Sequence, residues 1–240
     1  MAKFDLIYGF HSSISALNNK KRIIYDCKCT KEIFEKLKTK LNDSKIAKFK
    51  IVDRKKLDNE IQNKLHQGIL VKCSKLIEVD IDSALKENLS TILILDSLTD
   101  SQNVGAIIRS AYLFGIKLIF YNDNNSFNIN PTMTKAASGA FEYVKMIKIV
   151  NINNLIKKLK YNDYWILGLD TKGKDKISSI PKNINKVIIL GSEGKGIRSL
   201  IKKNCDYLIT IPMINKDGLV DSLNVSNAAS ITFYELNTKK

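Results

Sequence analysis

The chain has 240 residues, 44% of them hydrophobic and 26% charged, with a mean hydropathy of −0.13; this suits one large globular domain or two modest ones. No apolar run reaches the ~18 residues of a membrane span. The net charge is +15, and residues 1–75 hold 18 Lys and Arg against 8 Asp and Glu, so a polyanionic partner, most simply nucleic acid, is expected there; a Lys-rich composition without function is the alternative.

The opening stretch, MAKFDLIYGFHSS, lacks the apolar core and cleavage site of a signal peptide, so a cytoplasmic or similarly reducing setting is expected. KRIIYDCKC then reads as a strand, KEIFEKLKTKLND as a helix, KFKIVD as a strand, KKLDNEIQ as a short helix and GILVKCS as a strand. This predicts a small α/β module over 1–75. Cys27 and Cys29 are expected to face opposite sides of their strand. With Cys73, Cys205, His11 and His66 scattered elsewhere, no zinc spacing appears, so structural thiols and no metal are expected. Residues 76–90 read as a linker with room for a short helix.

A second series fills 91–240. TILILDSL is an apolar run that reads as a fully buried strand. NVGAIIRSAYLFGI is helical, KLIFYN a strand, PTMTKAASGAF a helix with an early proline, and VKMIKIV a strand. NNLIKKLKYN is a helix and YWILGLD a strand; KVIILG is a strand, GIRSLIKKN a helix, YLITIP a strand, and the tail from about 223 a helix. Alternation of this kind predicts a parallel sheet with helices on both faces.

Ligands of such sheets sit outside the carboxyl ends of the strands, and three of these ends are chemically unusual. The first is DSLTDSQNVG, where Asn103 can cap the following helix and Arg109, one of only four arginines, lies six residues on. With Ile107 and Ile108 beside it, Arg109 is expected to be partly buried and to need an anionic partner; an ordinary surface arginine is the alternative. The second is GSEGKG, three glycines around Glu193. Glycine lets backbone approach a ligand closely, but neither the dinucleotide GxGxxG context nor a GxxxxGK[ST] phosphate loop is present. A carboxylate here suits a neutral or cationic ligand better than a triphosphate; a plain glycine-rich turn is the alternative. The third is the stretch before the last helix, where Ser222 and Asn224 flank Leu223. Their side chains can share one crevice, or one of them can simply cap the helix.

Taken in order, LDSLTDSQNVGAIIRSAYLFGI (95–116), VIILGSEGKGI (187–197) and ITIPMINKDGLVDSLNVSNAAS (209–230) resemble the three motifs of the SpoU (TrmH-like) family of RNA ribose 2′-O-methyltransferases, of the SPOUT class. The N-terminal stretch YGFHSSISAL and HQGILVK at 66–72 resemble the RNA-binding extension of the large-subunit ribosomal RNA guanosine 2′-O-methyltransferase branch. NKDGLVD at 215–221 departs from that branch, whose IPM element runs into SLNVS within a few residues. The resemblance implies a parallel sheet whose C-terminal segment threads a trefoil knot, preceded by a small α/β RNA-binding domain. It implies S-adenosylmethionine held at Gly191, Ile211 and Leu223, with Asn103, Arg109, Glu193, Ser222 and Asn224 as the catalytic set. It also implies a homodimer, with ribosomal RNA of the large subunit as partner.

In that reaction a ribose 2′-oxygen loses its proton as it takes a methyl group. Because guanidinium stays protonated in proteins, Arg109 is expected to stabilise the developing alkoxide and hold a neighbouring phosphate, with solvent taking the proton. Asn103 and Glu193 would orient the arginine or the ribose, and Ser222 and Asn224 would position cofactor and nucleotide. A tRNA target, a non-catalytic RNA-binding assembly factor and a nucleotide-binding enzyme are the rival readings; the last lacks its phosphate-binding motifs.

Overall fold

The computed structural model describes residues 4–61, 65–122, 127, 129–214 and 222–238; the 215–221 departure lies outside them. The chain divides into two compact units, one of Met1–Ile77 with Ile129–Tyr143 and one of Glu78–Asn128 with Val144–Lys240.

The first unit runs β1 (Phe4–Tyr8), α1 (Phe10–Asn18), β2 (Ile24–Cys29), α2 (Lys31–Lys38), α3 (Asp43–Ile46), β3 (Phe49–Ile51), α4 (Arg54–Glu60) and β4 (Ile69–Ser74). Its sheet has the order β1-β4-β2-β3. β4 pairs antiparallel with both neighbours, while β2 and β3 are parallel. Successive strand residues alternate between faces, and two cores result. Ile7, Val71 and Cys73 pack with Ala16, Leu17 and Leu37 of α1 and α2. Tyr8 and Leu70, one step along, pack with Leu57 of α4.

Cys27 and Cys29 are both fully buried in the α1–α2 core. The expectation of opposite faces was wrong: residues two apart on a pleated strand share a face. Burial pushes the Cys27, Cys73 and Cys205 thiols up to about 12 and Cys29 to about 11. They therefore stay protonated near neutrality, as structural thiols do.

The second unit begins with α5 (Ile81–Leu85), then β5 (Thr91–Asp96), α6 (Ser101–Leu113) and β6 (Leu118–Asn122). The chain next supplies α7 (Pro131–Ala136) and a 3-10 turn (Ala140–Tyr143) to the first unit. It resumes with β7 (Lys145–Ile149), α8 (Ile152–Tyr161), β8 (Trp165–Leu169), β9 (Asp175–Lys176), β10 (Lys186–Gly191), α9 (Ser199–Lys202), β11 (Tyr207–Thr210) and α10 (Val225–Asn237). The seven strands lie in the order β7-β6-β5-β10-β8-β11-β9, and every pairing is parallel. β5 and β10 are buried along their whole length, which explains their unbroken apolar runs. One face packs Ile92, Ile94, Val187 and Ile189 against Leu155, Ile156 and Leu159 of α8. α6 and α10 pack on each other, with the Ser110 and Ser230 hydroxyls 2.8 Å apart and the Phe114 and Tyr234 rings edge to face at 6.2 Å. Ala84 of α5 is fully buried in the second unit's core.

The segment that leaves the second unit is clamped into the first by charge. Arg22 reaches Glu142 with two bonds, Nε to Oε2 at 3.0 Å and Nη2 to Oε1 at 2.8 Å, and reaches Asp5 Oδ2 from Nη1 at 2.6 Å. Asn19 Nδ2 adds a 2.8 Å bond to Glu142 Oε2. Burial alone would lower the Arg22 pKa, but hydrogen bonding and charge from Glu142 and Asp5 outweigh it and hold the group above its ordinary value.

Candidate active site

Because all strands of the large sheet are parallel, the ends of β5, β10 and β11 open on one edge. Gly191, the last residue of β10, pairs with Asp96, the last of β5. After Gly191 the chain makes a tight loop: Gly196 N donates to Ser192 O at 2.8 Å, and Gly194 and Gly196 have positive φ of 84° and 63°. A Cβ added to Gly191 would overlap the Gly196 carbonyl and the Ile197 nitrogen. Those are backbone atoms and cannot rotate away. Gly191→Ala is therefore expected to force the loop open, at the ~1–3 kcal/mol or more of an overpacked core, read as a lowered Tm together with lost ligand binding. Gly194→Ala meets no atom within 4 Å and should cost only the roughly 1–2 kcal/mol of its left-handed backbone. Equal stability of Gly191→Ala and the parent protein would contradict this reading.

The loop's carboxylate meets the other two motifs. Asn103 Nδ2 donates to Glu193 Oε1, and Asn224 Nδ2 donates to Asn103 Oδ1 at 3.1 Å. Asn224 also caps α10, its Oδ1 accepting from Ser226 N at 2.9 Å and Ser226 Oγ at 2.6 Å. One amide side chain thus serves both as helix cap and as the link between two loops. Two expectations need correction. Asn103 is not the cap of α6; Asp100 is, accepting from Gln102 N at 2.8 Å, so Asn103 sits inside the first turn with its amide free to bridge. Arg109 is exposed rather than partly buried. At 3.6 residues per turn it lies roughly a third of a turn from Asn103, on the stripe with exposed Gln102 and Leu113. Among the described residues it has no hydrogen-bond or ion-pair partner.

Ile211 follows β11 and is half-buried, while Ser222 and Leu223, just before α10, are exposed, Leu223 by 39%. The network therefore brings together Asn103, Glu193 and Asn224. Arg109 and Ser222 stand outside it.

A further pair escaped the sequence reading. Asp96 is fully buried and accepts from Arg198 Nε at 2.8 Å and from Arg198 N at 3.1 Å. This ties the end of β5 to the residue that leads into α9, and so braces the glycine loop from behind. The signal was present: an Asp buried at the end of an apolar strand needs a hydrogen-bonding partner, and Arg198 is one of four arginines. Among the described residues no group of His, Cys, Asp and Glu could hold a metal ion, and no helix is long and apolar enough to cross a membrane.

Comparison with known proteins gives the same outline. Residues 90–234 match the SpoU rRNA Methylase family, and residues 6–79 match the RNA 2′-O ribose methyltransferase substrate binding family. An uncharacterized tRNA/rRNA methyltransferase of Borreliella burgdorferi is 38% identical over 219 residues, 86% of this chain and 92% of its own. The 23S rRNA (guanosine-2′-O-)-methyltransferase RlmB of Coxiella burnetii is 31% identical over 247 residues, covering 100% of this chain and 98% of its own. Among solved structures, the SpoU methyltransferase AviRb of Streptomyces viridochromogenes, in complex with AdoMet, superposes with a TM-score of 0.77 at 16% identity, over 98% of this chain and 90% of that one. The chain belongs to the SpoU rRNA methylase family of RNA methyltransferases and carries that family's substrate-binding module ahead of its parallel sheet.

Proposed function

We propose that this protein transfers a methyl group from S-adenosylmethionine to the ribose 2′-hydroxyl of a guanosine in large-subunit ribosomal RNA. The observation that carries the reading is the Glu193–Asn103–Asn224 chain of hydrogen bonds, which joins three strand ends at one edge. Full-length similarity to a 23S rRNA guanosine enzyme supports the choice of RNA; relatives described only as tRNA/rRNA methyltransferases keep tRNA as the second reading.

The residues present fit the cofactor. Gly191 leaves no side chain between the strand end and the loop, and Glu193 offers a carboxylate where a sulfonium cation is to be held. Half-buried Ile211 and exposed Leu223 offer apolar surface. When bound, the cofactor supplies an electrophilic methyl group. The chain must then orient a ribose, stabilise its 2′-oxygen as the proton leaves, and grip the adjacent phosphate. Arg109, exposed and unpartnered among the described residues, has the fork of donors for the last two tasks. Asn103, fixed from both sides, and Ser222 would fix the ribose and nucleotide. A second copy of the chain would complete the site, and the C-terminal segment would form the family's knot.

Mapping 2′-O-methyl marks on total RNA from cells with and without the gene tests this directly. One guanosine of the large-subunit RNA should lose its mark and regain it when purified protein and S-adenosylmethionine are added. A mark lost from tRNA alone would select the second reading, and no change in any mark would overturn both.

A further inference from the structure

A pocket of about 430 Å³ opens in the first unit where α1 ends and β2 begins. Leu17 and Ile24 form its apolar floor, and Ile23 stands 64% exposed at its rim. Lys20, Lys45 and Lys48 ring it, and no carboxylate lines it. Lys45 is held in place by a 2.5 Å bond from Nζ to Asn18 Oδ1. Arg22 also reaches the lining, but Asp5 and Glu142 take up its charge. Among the described residues none of the three lysines has a carboxylate partner. Elsewhere in the same unit Lys28, Lys36, Lys38 and Lys50 each have one.

Three unpaired cations above an apolar floor suit a ligand that is anionic at one end and flat and apolar at the other. The volume falls within the range of small-ligand sites, roughly 300–1,000 Å³. A nucleotide has this character, and in single-stranded RNA the base is free to leave its stack and enter a pocket. An acidic peptide would engage the lysines but leave the floor unused. We propose that this pocket takes one unpaired nucleotide of the substrate RNA, with backbone phosphates on Lys20, Lys45 and Lys48 and the base on Leu17, Ile23 and Ile24. The proposal rests on the RNA methyltransferase reading above.

The test uses the full chain and a fluorescein-labelled single-stranded RNA oligonucleotide titrated at several salt concentrations. The triple variant Lys20→Gln, Lys45→Gln, Lys48→Gln should bind at least tenfold more weakly. Its log–log salt slope should be shallower by about two, since each phosphate contact on a single strand contributes roughly 0.7. Ile23→Asp, at an exposed rim position, should also lose at least tenfold. The control Lys36→Gln, Lys38→Gln, on the exposed face of α2, should stay within twofold. Far-UV circular dichroism and thermal unfolding show whether each variant is folded; if the triple variant is not, Ile23→Asp carries the test. Losses no greater than the control's would overturn the proposal, as would equal competition by poly-glutamate. Displacement by free guanosine monophosphate at the oligonucleotide's own concentration would assign the pocket to a free nucleotide and overturn it too. These readouts are binding constants, so a wild-type protein that binds the oligonucleotide yet methylates nothing refutes the proposed function alone.

Discussion

Arg109→Lys is expected to lose on the order of 10²–10³ in methyl-transfer rate, nearly as much as Arg109→Ala, with cofactor affinity little changed. That magnitude is the usual cost of removing one preorganised donor at a developing oxyanion. The structure sharpens the reasoning. Arg109 is exposed on α6 and makes no hydrogen bond or ion pair with a described residue, so no contact among the described residues explains an arginine at this position. Its loss should therefore leave folding intact and appear in catalysis. Lysine keeps the charge but gives a point cation in place of a planar fork. If diffuse charge were enough, Lys would substitute well. If phosphate and alkoxide are gripped together, Lys fails. Single-turnover kinetics at saturating cofactor separate the two, and near-parental turnover by Arg109→Lys would show that the grip is not needed.

The second large effect is on stability. Glu142→Ala should cost about 3–5 kcal/mol, the usual penalty for removing one partner of a buried ion pair and leaving the other charge uncompensated. The Arg22 side chain is wholly buried and that of Glu142 is 2% exposed, so solvent cannot take over. Asp5 would retain part of the arginine's partnership, which places the expected loss toward the lower end. The double variant Arg22→Met, Glu142→Leu should recover much of it, because apolar residues of similar volume often replace buried pairs at little cost. Chemical denaturation followed by far-UV circular dichroism gives the comparison. A Glu142→Ala protein within about 0.5 kcal/mol of the parent, the range of ordinary surface changes, would show that the pair does not hold the segment.

Much of the large sheet was legible because its central strands are buried on both faces. TILILD and KVIILG are unbroken apolar runs with no competing period. The order of those strands was not legible. β10 pairs with β5 although four strands intervene in sequence, and apolar runs carry no label for their neighbours. β1 and α1 were passed over as strand and helix, since a half-buried strand of five residues followed at once by a helix shows little periodicity. At the site, the three loops could be named because rare residues marked them. The bridging role of Asn103 could not, because Asp100 and Asn103 are both good caps and only packing decides between them. The pairing of Arg198 with Asp96 was not legible either. The Asp96 that needs it lies 102 residues earlier, a separation no local pattern spans.

The segment Ile129–Tyr143 leaves the middle of one unit to finish the other, and this has a consequence for synthesis. Arg22 and Glu142 are 120 residues apart. At about 5–20 residues per second, a nascent chain holds Arg22 with Asp5 alone for roughly 6–24 s before its second carboxylate partner, Glu142, has been made. By then β5 and β6 of the large sheet have already been added to the chain. The N-terminal module's two cores lie within residues 6–73, but it is completed only once 129–143 has been made. It waits for a piece delivered from within its neighbour, and the folding of the two is interleaved.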